Sequence, residues 1–150
     1  MRKMLAALAV VAVTFPGLAA ADALVRKQSP YSVADTLDRL AKIVGEKGAT
    51  VFARIDHAGG AAKIGSELRP TQTLIFGNPK LGTPIMQRAQ EAGLDLPLRV
   101  LAYEAADGKV WLAYRAPTAM GMTHGLAIDA EETVRVAKAI DGLTNAAVAE

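Results

Sequence analysis

Leu98-Arg-Val-Leu-Ala-Tyr-Glu104, Ala105-Ala-Asp-Gly108 and Lys109-Val-Trp-Leu-Ala-Tyr114 read together as two strands joined by a tight turn. The flanking runs are rich in β-branched and aromatic residues, and Asp-Gly between such runs is a strong hairpin signal. Side chains alternate faces along a strand, so Val110, Leu112 and Tyr114 share one face, with Trp111 and Ala113 on the other. A hairpin demands antiparallel pairing, so a purely parallel sheet is ruled out.

Upstream, Thr50-Val-Phe-Ala-Arg-Ile55 and Thr71-Gln-Thr-Leu-Ile-Phe76 read as strands, the second buried because Leu74-Ile-Phe76 is unbroken. Leu24 to Gln28 is a further short strand. Between them, Ser32 with Asp35 three residues on is a capping signal. Val33, Leu37, Leu40 and Val44 then recur at helical spacing, and Gly48 ends the helix. Asp56 is expected to cap a short helix running to Leu68, with Ala61, Ile64 and Leu68 turned inward. Gly77 to Gly82 reads as loop, with Thr83 capping the next helix and Pro84 at its first position. Downstream, Pro117 to Thr123 forms a helical turn. Asp129 and Glu132 cap a last helix whose inner face is Val136, Ile140, Leu143 and Ala147. The order is β-α-β-α-β-α-β-β-α. The expectation is a single α+β domain over residues 24–150. One mixed or antiparallel sheet of about four to five strands is covered by helices on one face.

The N-terminus has a separate logic. Arg2 and Lys3 precede an uncharged apolar run from Met4 to Phe15, Pro16-Gly17 breaks it, and small residues follow. This is the pattern of a cleavable signal peptide, residues 1–23, with the cut after Ala21 or, preferably, Ala23. The run falls well short of the ~20 residues of a spanning helix, and no cysteine is present to carry a lipid. The mature protein is therefore expected to be periplasmic or secreted, without a stable membrane anchor. Removing Arg2, Lys3 and Asp22 lowers the formal net charge by one from +2. Lys and Arg are not clustered, which argues against a nucleic-acid partner.

With no cysteine there is no disulfide, thiolate nucleophile or iron–sulfur site. Two histidines exclude a three-histidine metal site. Neither a Gly-x-Ser-x-Gly elbow, a dinucleotide fingerprint nor His-Glu-x-x-His is present. Three segments remain as candidates. Asp56 and His57 stand at a strand-to-helix junction, where a histidine beside a carboxylate suits ligand binding or proton transfer; the competing reading is a plain helix cap. Asn78, Lys80 and Thr83 lie in a Gly- and Pro-rich turn able to offer N–H groups and a cation to an anion. Met120, Met122 and His124 carry soft donors suited to copper, or else pack in the core. The tentative metal ligands are His57 and His124.

These segments also carry a resemblance. Arg54-Ile-Asp-His-Ala58, Glu67-Leu-Arg-Pro70, Leu74-Ile-Phe-Gly-Asn-Pro-Lys80 with Gly82-Thr-Pro84, and Asp95-Leu-Pro-Leu98 resemble the domain-of-unknown-function 302 family. So do Asp107-Gly-Lys-Val-Trp111, Tyr114 and His124-Gly-Leu126. The resemblance runs in order from Tyr31 to Leu126 and departs from the pattern near Arg115-Ala-Pro117. It implies a small α+β fold and a homodimer, with His57, His124, Asn78 and the Gly-Thr-Pro turn at motif positions. It assigns no catalytic residue. Three functions follow from the sequence. The first is a module binding a small ligand or metal ion near Asp56, His57, Asn78, Lys80, Thr83 and His124. The second is a homodimeric scaffold without a ligand. The third is an enzyme with His57 as general acid or base, and the balance leans against an enzyme.

Overall fold

The computed structural model describes residues 24–150. The signal peptide read at residues 1–23 lies outside the described residues. Five strands form one sheet: β1 (Leu24–Ser29), β2 (Thr50–Asp56), β3 (Thr71–Gly77), β4 (Leu98–Glu104) and β5 (Val110–Arg115). Their spatial order is β1-β5-β4-β3-β2, and every neighbouring pair is antiparallel. The hairpin is β4–β5, with Leu101 opposite Ala113 and Tyr103 opposite Trp111.

Helix α1 (Val33–Glu46) follows β1. Ser32 caps it doubly: its Oγ accepts from the Asp35 N–H at 3.1 Å and donates to Asp35 Oδ2 at 2.6 Å. The apolar spacing read in the sequence has its expected consequence, since Val33, Leu37, Leu40 and Val44 are all buried. They pack on the sheet face made by Leu74, Phe76, Val100, Ala102, Leu112 and Tyr114. The long C-terminal helix α5 (Glu131–Val148) adds Ile140 and Ala147 to the same core.

A second, smaller core sits beside the first. It gathers Ile85 from α3 (Pro79–Arg88), Ala92 from a short 3₁₀ turn (Gln90–Leu94), Met120 from α4 (Pro117–Thr123), and Val136 from α5, with Leu126 and Ala130. Helix α5 thus serves both cores. Where α4 crosses it, Gly121 is a necessity of space: a Cβ there would lie 2.6 Å from Thr133 Cγ2.

Three local expectations are corrected. Asn78, not Thr83, caps the third helix. The Asn78 side chain accepts from the Lys80 N–H at 2.9 Å, so helix begins at Pro79, within the segment read as loop. Proline is as acceptable at that first position as Pro84 was expected to be. The short helix after Asp56, α2 (His57–Lys63), stops before Ile64. Ile64 and Leu68 do not turn inward; they stand 80% and 48% exposed. Two glycines and a seven-residue length give α2 too little intrinsic stability to extend. Finally, Ala130 rather than Asp129 occupies the cap position of α5, with no side-chain hydrogen bond there.

Candidate functional site

The two cores do not close completely against each other. At their seam lies a cavity of about 460 Å³, within the ~300–1,000 Å³ range of small-molecule pockets. Its walls come from the end of β3, the start of β4, α3 and α5. Phe76, Val136 and Ile140 are its fixed, buried parts. Leu81, Met86, Leu96, Leu98, Ala139 and Leu143 complete an almost wholly apolar lining. Among the described residues, Asn78 and Thr83 are its polar side chains.

The sequence folds this way for identifiable reasons. Asn78 ends β3 and starts α3 in one step. Its Oδ1 caps the helix, while its Nδ2 donates to the Gly48 carbonyl at 3.3 Å and ties that corner to the loop after α1. Gly77 lets three elements meet: an added Cβ would lie 3.2 Å from Pro97 Cβ and 3.5 Å from Phe52 Cε2. Phe52 arrives through a β-bulge. Val51 pairs with Phe76 and Ala53 with Ile75, which leaves Phe52 as the extra residue between them. A bulge bends its strand and re-aims a side chain, and here it puts the Phe52 ring at the cavity.

Of the residues singled out in the sequence, Asn78 and Thr83 line this cavity. Lys80 stands three residues before Thr83 on the same helix, and side chains so spaced are neighbours on one face. The histidines go elsewhere. Asp56 caps α2, its Oδ1 accepting from the Gly59 N–H at 2.9 Å. His57 is exposed, with its Nε2 3.0 Å from Thr73 Oγ1. His124 closes α4 with its side chain only 8% exposed, and its Nε2 donates to Asp95 Oδ2 at 2.8 Å. Asp95 also accepts from Arg115 Nη1 at 3.4 Å, so the departure from the family motif supplies a cation to this cluster.

Thr73 pairs with Leu101, whereas Asp95 precedes the first residue of β4, Leu98. The stretch from Leu98 to Leu101 alone spans about 10 Å of strand. The structure therefore does not bring the two histidines together. Among the described residues no group of three or more His, Asp or Glu side chains gathers in a way that would hold a metal ion. Met120 is buried in the second core, and Met122 is half exposed.

Reasoning from sequence missed the cavity lining itself. Leu143 reads as the inner face of the last helix and Ala139 is not singled out at all, and nothing in the spacing distinguishes a packed face from a gap. Phe52 gave no signal, because the bulge that re-aims it is a feature of pairing with β3.

Comparison with known proteins agrees with this fold. The chain belongs to the DUF302 family, a domain of unknown function, whose model matches residues 25–147. In the crystal structure of an uncharacterized conserved DUF302 protein from Bacillus stearothermophilus the same fold recurs. The TM-score is 0.68 at 18% identity, covering 85% of this chain and 97% of that one. Among curated proteins, the Fluoride-specific ion channels FluC 1 of Brucella suis and of Brucella abortus are each 42% identical over 112 residues, or 75% of this chain. The chain spans 44% and 42% of their respective lengths.

Proposed function

We propose that this protein is an exported small-ligand-binding module and that its ligand is apolar, held in the cavity between the two cores. The observation that carries the reading is a seam of about 460 Å³ whose lining is aliphatic and aromatic apart from Asn78 and Thr83. An apolar surface left open to water forgoes about 25 cal/mol for each Å² it fails to bury, and an apolar ligand recovers that term. The leader-like N-terminus supports export to the periplasm.

The test is native mass spectrometry on tag-free protein recovered from the periplasm. An organic adduct is expected on the wild type and absent from Ala139→Phe and Gly82→Leu, which fill the cavity from α5 and from α3. A Cβ on Gly82 would meet Leu96 Cδ1 at 3.6 Å, an ordinary contact, so this second variant adds bulk without a clash at its root. A wild type that carries no adduct and also leaves the fluorescence of ANS unchanged would overturn the reading.

A second feature supports self-association. No residue of α2 is buried, and Ile64 and Leu68 after it expose large apolar side chains. A seven-residue helix is far below the length that holds without packing, and a second copy of the chain would supply that packing. Fluoride conduction is not carried over from the channels. The shared segment is under half their length, and among residues 24–150 no helix is long and apolar enough to cross a membrane.

A further inference from the structure

Resting on the reading of the cavity as a ligand site, we propose that its occupant is an anionic amphiphile. A single aliphatic chain would lie between the cores, its anionic head would meet Lys80 and Thr83 at the rim, and Phe52 would act as the movable gate.

The body of the ligand follows from the lining. Leu81, Leu96, Leu98, Val136, Ala139 and Leu143 offer aliphatic surface and no buried polar partner. A ligand with polar groups along its length would lose their hydrogen bonds to water without replacement. One polar end is different. Of the two polar side chains in the lining, Asn78 is committed at both ends of its amide, to the Lys80 N–H and the Gly48 carbonyl. The Thr83 hydroxyl makes no hydrogen bond among the described residues and is exposed, so it stands at the rim with its capacity unused. Lys80, also exposed and three residues away on the same helix, has no ion pair among the described residues. Thr83 lines the cavity and Lys80 stands one turn before it on α3, and an ammonium beside a hydroxyl suits a carboxylate or phosphate head.

The gate follows from the bulge. Among the large apolar side chains that the described residues expose, Phe52 alone lines the cavity. It is 58% exposed, whereas Phe76, Val136 and Ile140 around it are nearly solvent-free. Its ring lies against Gly77, where the missing Cβ leaves the space. The packed walls cannot move without disturbing a core. Phe52 stands on the edge strand β2 and is largely exposed, so its ring can turn on its own side-chain torsions.

The experiment uses the mature protein in calorimetric titration with laurate, dodecanol and dodecyltrimethylammonium, which share a chain and differ in head charge. Laurate is expected to bind at one per chain, about tenfold tighter than either analogue, as one charge-assisted hydrogen bond allows. Lys80→Gln should erase that preference and leave dodecanol unchanged. Phe52→Ala should speed laurate release about tenfold in stopped flow, since interface changes act mainly on dissociation. Incubation with phosphatidylglycerol vesicles, followed by native mass measurement, separates the sources of such a head. A phospholipid mass on the protein identifies a membrane lipid, and its absence beside laurate binding identifies a free carboxylate. If none of the three probes binds, the cavity reading itself falls. Equal binding of all three, unaltered by Lys80→Gln, leaves the cavity standing and overturns the anionic head. Unchanged release from Phe52→Ala overturns the gate.

Discussion

Lys27 shows how much one residue organises. Its ammonium, on the helix-facing side of the edge strand β1, donates to Asp141 Oδ1 at 2.7 Å, the Asp141 carbonyl at 3.0 Å, Thr144 Oγ1 at 2.7 Å and Asn145 Oδ1 at 2.6 Å. Together these bonds fasten α5 to β1. The Lys27 hydrogen bond is the largest of the influences that hold the Asp141 carboxyl below its ordinary value. A carboxyl lowered in the folded state stabilises the fold above its unfolded-state value and loses that contribution as pH falls through the lowered folded-state value. Lys27→Met should therefore cost about 1–2 kcal/mol at neutral pH, since the bonds are charge-assisted but Asp141 is largely exposed. In urea unfolding the gap to the wild type should narrow in acid, below about pH 4. A gap that is constant across that range would assign Lys27 a packing role instead. The roles proposed for Phe52, Lys80 and Thr83 belong to this scale too, because each would act through a single side chain.

At the scale of elements, α5 is the shared wall of both cores and of the cavity. Its register against α4 is set by Gly121, which admits the Thr133 methyl at a distance no side chain allows. Gly121→Ala must push α4 away from α5, at a cost of about 1–3 kcal/mol as in other overpacked interiors. That shift should appear as a lowered melting temperature, with ligand binding weakened because Met120 and Val136 share the second core. A variant as stable as the wild type would show that the crossing is slack. Helix α1 contributes differently. Its Ser32 cap and buried apolar stripe are local matters, so it forms wherever the sheet offers a surface.

At the scale of the whole molecule, one segment lies outside both cores. From His57 to Pro70 no residue is buried, although Ile64 and Leu68 are large and apolar. Exposed apolar surface of this kind marks interaction sites, and the self-association proposed above would cover it. Protein spanning residues 24–150 should sediment as a homodimer, and Ile64→Asp with Leu68→Asp should shift it to monomer without lowering helix or sheet content by circular dichroism. A wild type that is monomeric at high micromolar concentration would remove the dimer from the account.

What the sequence determined by itself was the set of elements with a local cause. The Asp-Gly hairpin, the Ser32 cap, the spacing of Val33, Leu37, Leu40 and Val44, and the α+β class all follow from turn chemistry and periodicity, which act over a few residues. The family, too, was legible in contiguous motifs. The site was legible only in part: Asn78 and Thr83 line the cavity and Lys80 stands on the same helix, whereas Asp56, His57 and His124 serve caps and separate pairs. Tertiary structure alone decided the bulge at Phe52 and the gap between the two cores. Those depend on how strands register and on how two packed clusters fail to meet, and no local pattern encodes a space between residues distant in the chain.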